Sequence, residues 1–239
     1  MTLEEAQLWM SRLGAIAVVI AALELMVVHR AWTDGVYRGR GLASARMTWL
    51  VLATQLAAGL ALPWTATPIV AWAAFGATLA IAARWRGSYN GGSDAMLLVV
   101  LLAIALARMG GNAALAGLAY AAAQLVLSYF LSGVAKLRDP AWRRGEALPI
   151  LVTIPRYGVP ARFAAALSGR AGAVAAWAML GFELAFPLGL LDARLALAFL
   201  AGAAVFHLVN AVVFGLNRFL WIWLAAFPAL VFWVERLRG

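Results

Sequence analysis

Four ionisable side chains stand out inside the long apolar runs of this 239-residue chain: Glu24, Lys136, Glu183 and His207. Each is expensive there, by about 2.5 to 3.5 kcal/mol at the middle of a spanning helix, so each needs a partner or a task. Tyr129, Ser132, Gly133 and Lys136 follow the i, i+3, i+4, i+7 spacing that puts side chains on one helical face. That stripe combines a phenol, a hydroxyl, a gap where a flat ligand could approach, and an amine. An amine held away from water becomes a usable general base. The competing reading is a lysine that closes a span by snorkelling to the interface.

Glu183 stands four residues before Pro187, and proline cannot donate to the carbonyl four positions back, which belongs to Glu183 itself. A kink with a free carbonyl is expected, with a polar concavity in which the carboxylate accepts a proton or orients a cation. A purely structural pair of Glu183 with an arginine or histidine is the alternative. His207 and Asn210 lie three apart and can share an inward polar site; His207 reads as a proton relay or as a satisfied packing residue. Gln55 and Gln124 read as hydrogen-bonding glue between helices. No metal site is expected, because the only other histidine is His29 and no helix carries ligands at i, i+4. Cysteine is absent, which excludes disulfides, thiolate catalysis and cysteine-ligated clusters.

The elements that must hold these groups are membrane helices. Sixty-five per cent of the residues are hydrophobic and 12% charged, and the mean hydropathy is +0.89, far outside the range of a water-soluble domain. Apolar runs bounded by charge or glycine predict helices near 8–29, 45–62, 66–84, 93–108, 112–137, 171–191, 194–215 and 217–235. The fold class is therefore an all-α integral membrane protein, a polytopic bundle of about eight transmembrane helices, seven to nine at the limits, with one long proline-containing loop. The weakest break is Pro63-Trp64, which as a kink would merge two spans. The first run carries Glu24 and ends at His29 and Arg30 without a small-residue cleavage site, unlike a signal peptide.

The 138–170 connection holds Pro140, Pro149, Pro155 and Pro160, half of the eight prolines, and cannot be one continuous helix. Leu148 to Val159 is apolar enough to lie at the interface or fold back as a lid, and Pro160 to Leu167 can form a short amphipathic helix. Under eight spans, 14 of the 19 Lys and Arg fall on one side, leaving Arg12, Arg108, Arg194, Arg236 and Arg238 on the other. That asymmetry places the basic loops, including 138–170, in the cytoplasm and both termini outside a cell inner or plasma membrane. The net charge of +9 then points to anionic lipid headgroups and not to nucleic acid.

The stretch Tyr129 to Leu148, YFLSGVAKLRDPAWRRGEAL, resembles the signature of the vitamin K-dependent γ-carboxylase-like superfamily, also called horizontally transferred transmembrane domain (HTTM) proteins. Tyr89 to Asp94 is similar to that family's asparagine-glycine-aspartate turn. Phe182-Glu183 to Pro187 resembles its Glu-x-x-Phe-Pro, and Phe206-His207 to Phe219 resembles its histidine-containing late helix. The resemblance implies a single HTTM-like domain over 1–239. It also implies Lys136 as the base that deprotonates vitamin K hydroquinone or menaquinol, with O2 and CO2 as co-substrates and no metal. Around it, Tyr129, Ser132, Gly133, His207 and Asn210 would bind the cofactor, with Glu183, Asp94 and Trp142 as further pocket candidates. The implied reaction couples quinol oxygenation to γ-carboxylation, or a related modification, of glutamate in a peptide or small substrate.

Three departures bear on that implication. The family's animal carboxylases have two adjacent lysines where this chain has Ala135-Lys136, they carry a large non-membrane region that grips the substrate whereas this chain stops at Gly239, and they hold the lysine on the lumenal side. Processive carboxylation of a docked protein is therefore not expected. Two other functions stay open: a non-enzymatic membrane partner in toxin-peptide maturation or immunity, and a proton-coupled transporter using Glu24, Glu183 and His207. The transporter ranks lowest, because no paired broken segments recur in two halves.

Overall fold

A computed structural model of the protein describes residues 1–28, 44–84 and 92–238, apart from the side chain of Arg156. His29, Arg30, Arg38, Arg40, Arg86 and the Tyr89-Asn90-Gly91 part of the turn before Asp94 lie outside the described residues. Those described are helical, with no strand among them. The long helices are α1 (Leu3–Val27), α2 (Ala45–Ala61), α3 (Pro68–Arg84), α4 (Gly92–Ala107) and α5 (Gly111–Arg138). After α5 come short α6 (Pro140–Arg143), α7 (Ala147–Leu151) and α8 (Ala161–Ala166), then long α9 (Gly169–Ala185), α10 (Ala193–Phe214) and α11 (Asn217–Arg238).

All eight apolar runs form helices, and six of them are long and apolar enough to cross a bilayer. The other two, α3 and α4, have 17 and 16 residues, about 26 and 24 Å at 1.5 Å per residue, against a hydrocarbon core of about 30 Å. An eight-span count is thus not fixed by length alone. Broad apolar faces are exposed along the helices, as at Val205, Leu208 and Val212 of α10 and Val174 and Trp177 of α9. Faces of that kind suit lipid and not water. The protein is a multi-pass membrane protein.

Pro63 ends a helix and does not merely kink it. Helix α2 gives way to a 3-10 turn, Leu62–Trp64, and Thr65 leaves helical geometry altogether. The carbonyls exposed by this break are taken up by Arg108, whose guanidinium donates to Leu62 O, to Thr67 O at 3.3 Å and to Ser11 Oγ at 3.1 Å. The Thr67 hydroxyl accepts from Ile69 N–H at the start of α3. One cation so closes the turn between two apolar helices.

The chain divides into two compact units, residues 1–122 with 221–233, and residues 123–220 with 234–239. In the first, α1 packs on α2 and α4, and α3 lies against both α2 and α4. A Cβ at Gly59 would come within 2.8 Å of Val18, so α1 and α2 approach as closely as a glycine contact allows, the usual device where lipid supplies no hydrophobic drive. Gln55 donates to the Thr78 hydroxyl at 3.0 Å, between α2 and α3. The glue expected of Gln55 is present there. Glu24 is exposed and lies in the last turn of α1, not at mid-span.

In the second unit the 138–170 connection is a chain of short turns, as its prolines require. Asp139 caps α6 by accepting from Ala141 N–H at 2.8 Å, Pro155–Tyr157 is a 3-10 turn, and the helix expected near Pro160 appears as α8. Both α6 and α7 pack on α9. Helix α9 does not leave a free carbonyl before Pro187. It tightens instead into a 3-10 segment, Phe186–Leu190, and Phe186 N–H donates to Glu183 O. Because the acceptor that proline cannot serve is taken three residues on, the chain tightens rather than kinks open.

Candidate functional site

Helix α5 carries Tyr129, Ser132, Gly133 and Lys136 over its last three turns, helix α9 supplies Glu183 from its final turn, and α10 supplies His207. The stripe foreseen on α5 does meet polar partners. Lys136 Nζ donates to Glu183 Oε1 at 2.6 Å, to Oε2 at 2.7 Å and to Ser132 Oγ at 2.7 Å. Ser132 in turn donates to Glu183 Oε1 at 3.3 Å. The lysine side chain is 18% exposed and that of Glu183 only 3%. The three donors of an ammonium each have an acceptor within hydrogen-bond distance.

The solitary sheltered amine of the sequence reading is therefore half of an ion pair. The partner of Glu183 is Lys136 and neither an arginine nor a histidine. Nothing local signals this pairing, since 47 residues separate the two groups. The ring of Trp142, in α6, lies 5.3 Å from Lys136 Nζ, within cation–π range. Lys136 is thus held by a carboxylate on one helix, a hydroxyl on its own, and an indole from the turn that follows.

Gly133 is not a gap. A Cβ there would stand 3.0 Å from both the backbone nitrogen and the Cγ of Leu184 and 3.1 Å from Glu183 Cβ. The missing side chain lets α9 seat against α5, and that close approach carries Glu183 to Lys136. A flat ligand has no room on that side.

One level deeper, the Tyr129 hydroxyl and His207 Nε2 are 2.6 Å apart, and both residues are buried. Which of the two donates follows the histidine tautomer. Tyr129 stacks on Phe186, centroids 4.0 Å apart and planes 15° apart, with Phe182 edge-on at 5.9 Å. Phe199 from α10 completes the cluster against Phe186. Phe182 and Phe186 entered the sequence reading only as part of the motif around Glu183, and Phe199 not at all; the i, i+4 spacing of the first two is the usual sign of a shared face.

His207 thus pairs with Tyr129. Asn210, one turn on and half-buried, accepts Gly215 and Leu216 N–H at its backbone carbonyl, where α10 ends. Asp94, in the first turn of α4, belongs to the first unit while Lys136 belongs to the second. The described residues contain no group of three or more His, Cys, Asp or Glu able to hold a metal ion.

In a fit to a hydroquinone, Trp142 and the phenylalanines would supply apolar walls, whereas Lys136, Ser132 and the Tyr129–His207 pair are already bonded to one another or to Glu183 and would have to exchange those bonds for the ligand's hydroxyls.

Comparison with curated proteins and with solved structures returns no match. A family model for the HTTM domain matches residues 112–234, just over half of the chain, and that stretch contains the whole Lys136–Glu183 and Tyr129–His207 assembly. The chain therefore belongs to the HTTM domain family, a membrane protein of the carboxylase-related group that its sequence resembles.

Proposed function

We propose that the protein is a compact membrane enzyme in which Lys136, working with Glu183, removes a proton from a lipid-soluble hydroquinone such as vitamin K hydroquinone or menaquinol. The observation that carries this reading is the amine of Lys136 lying 2.6 and 2.7 Å from both oxygens of Glu183, in a membrane helix pair where a charge needs a reason. A bound hydroquinone supplies an acidic phenolic hydroxyl and a ring that O2 can oxidise. Movement of one proton from Lys136 to Glu183 along the short contact leaves a neutral amine able to accept the next one. Ser132 keeps that amine oriented. The Tyr129–His207 pair, walled by phenylalanines, holds the second polar position and excludes water. A glutamate in a peptide or small substrate, with CO2 as the incoming group, is the acceptor chemistry that the family relationship favours. The basic 138–170 segment follows Lys136 directly, and its charge favours a cytoplasmic face for this chemistry.

Arginine separates the chemical role from a structural one. In Lys136→Arg the cation and its carboxylate partner persist, but guanidinium does not give up a proton in proteins. Purified in nanodiscs and supplied with reduced quinone, both Lys136→Ala and Lys136→Arg are expected to lose about 10²- to 10⁴-fold in quinol oxidation or epoxide formation, the range typical of a general base. Full activity in either variant overturns the assignment. A second reading, that of a non-enzymatic membrane partner, is favoured by the way Lys136 and Glu183 satisfy one another. It predicts that Lys136→Arg leaves recovery of the partner unchanged and that no quinone co-purifies in stoichiometric amount.

A further inference from the structure

A cavity of about 600 Å³ opens in the first unit, where α1 starts, α2 ends and α4 gives way to α5. Such a volume lies in the middle of the range for small-ligand sites. Its walls include Glu4, Gln7, Ser11, Trp64, Thr65 and Arg108. None of these belongs to the Lys136 assembly.

Arg108 is the feature that asks for a ligand. Of its five N–H donors, three are spent on Leu62 O, Thr67 O and Ser11 Oγ. These three bonds fix the guanidinium in place, and among the described residues no carboxylate pairs with it. Burial lowers its pKa from the ordinary arginine value, as expected of a cation stripped of part of its water. A half-buried, immobilised guanidinium with donors to spare is well suited to a phosphate oxygen.

The surroundings say what carries the phosphate. Glu5 is engaged in the cap of α1 with Thr2, whereas Glu4 is exposed, lines the cavity and makes no hydrogen bond to the described residues. The cavity thus offers one fixed positive and one available negative group. Trp64, on its wall, is 87% exposed, and Leu60 and Ile69 on either side of the break are exposed as well. An exposed indole at the end of a spanning helix marks the headgroup level of a bilayer.

We propose that this cavity binds the headgroup of a zwitterionic glycerophospholipid, with the phosphodiester on Arg108 and the primary amine toward Glu4. Acyl chains then run down the apolar surface below Trp64. The site is independent of the quinol reading and stands or falls without it.

The test measures lipid binding to the detergent-purified full chain by native mass spectrometry, with phosphatidylethanolamine, phosphatidylglycerol, glycerophosphoethanolamine and inorganic phosphate as separate probes. Arg108→Gln removes the phosphate contact. Ala66→Trp fills the cavity while leaving Arg108 and its three bonds intact, which guards against a variant that simply unfolds. Both are expected to lose about tenfold or more in phosphatidylethanolamine affinity, the scale of one charge-assisted contact. Glu4→Gln is expected to abolish the preference for phosphatidylethanolamine over phosphatidylglycerol. Wild-type affinity in Ala66→Trp overturns the site, an unchanged preference in Glu4→Gln overturns the amine assignment, and displacement of lipid by an equal concentration of inorganic phosphate overturns the lipid source.

Discussion

The two units solve the same problem, polar groups inside apolar helices, with opposite chemistry. In the first, Gln55 and Thr78 join α2 to α3 through one neutral hydrogen bond, and in the second, Lys136 and Glu183 join α5 to α9 through a charged pair. A neutral contact of the first kind averages about 0.6 kcal/mol in membranes and can be lost quietly. A charged pair costs several kcal/mol per ion to desolvate, and well-packed apolar residues often do as well or better. Stability alone gives no reason to keep it. Under the proposed function, that contrast makes the α5–α9 contact the chemical one and leaves the α2–α3 contact as a fastening.

The strongest way to break the contrast is Glu183→Ala, which strands Lys136 beside a hole. Because Lys136 retains some access to water, the loss of stability should be near the lower end of the range for a broken buried pair, about 3 kcal/mol, read from thermal unfolding in detergent. The double variant Lys136→Met, Glu183→Leu should regain most of that stability while remaining inactive toward quinol. Recovery of activity along with stability would make the pair a fastening too. Next in size is Gly133→Val, whose added carbons meet Leu184 at 3.0 Å. Overpacking of this kind costs about 1 to 3 kcal/mol, and the displacement of α9 should also lower turnover, so a destabilised but fully active variant would show that the close approach does not position Glu183. Smallest of all, Thr78→Val should cost about 0.6 kcal/mol and leave quinol chemistry untouched. A drop in turnover there would erase the division of labour between the units.

What the sequence disclosed and what it hid follow from the range of the interactions. Hydropathy runs and prolines are local signals, so the eight helices, the break at Pro63 and the short helix after Pro160 were legible. Helix length was harder: the described parts of α3 and α4 are apolar throughout but have 17 and 16 residues, so hydropathy alone does not fix how many helices span. The Tyr129, Ser132, Lys136 stripe was legible because it needs only helical periodicity. Its partners were not, since Glu183 and His207 lie 47 and 78 residues away and only the relative rotation of three helices decides who meets whom. Gly133 shows the ambiguity at its sharpest. An absent side chain is the same letter whether a ligand or another helix fills the space, and here Leu184 fills it.

Trp142 lies over Lys136 from a four-residue helix that begins two residues after α5 ends. The indole beside the amine thus belongs to the connection and not to a spanning helix, so substitutions in that short segment would change the surroundings of Lys136 while leaving the α5–α9 seam alone; on the proposed reading, that is where a change of acceptor would be made.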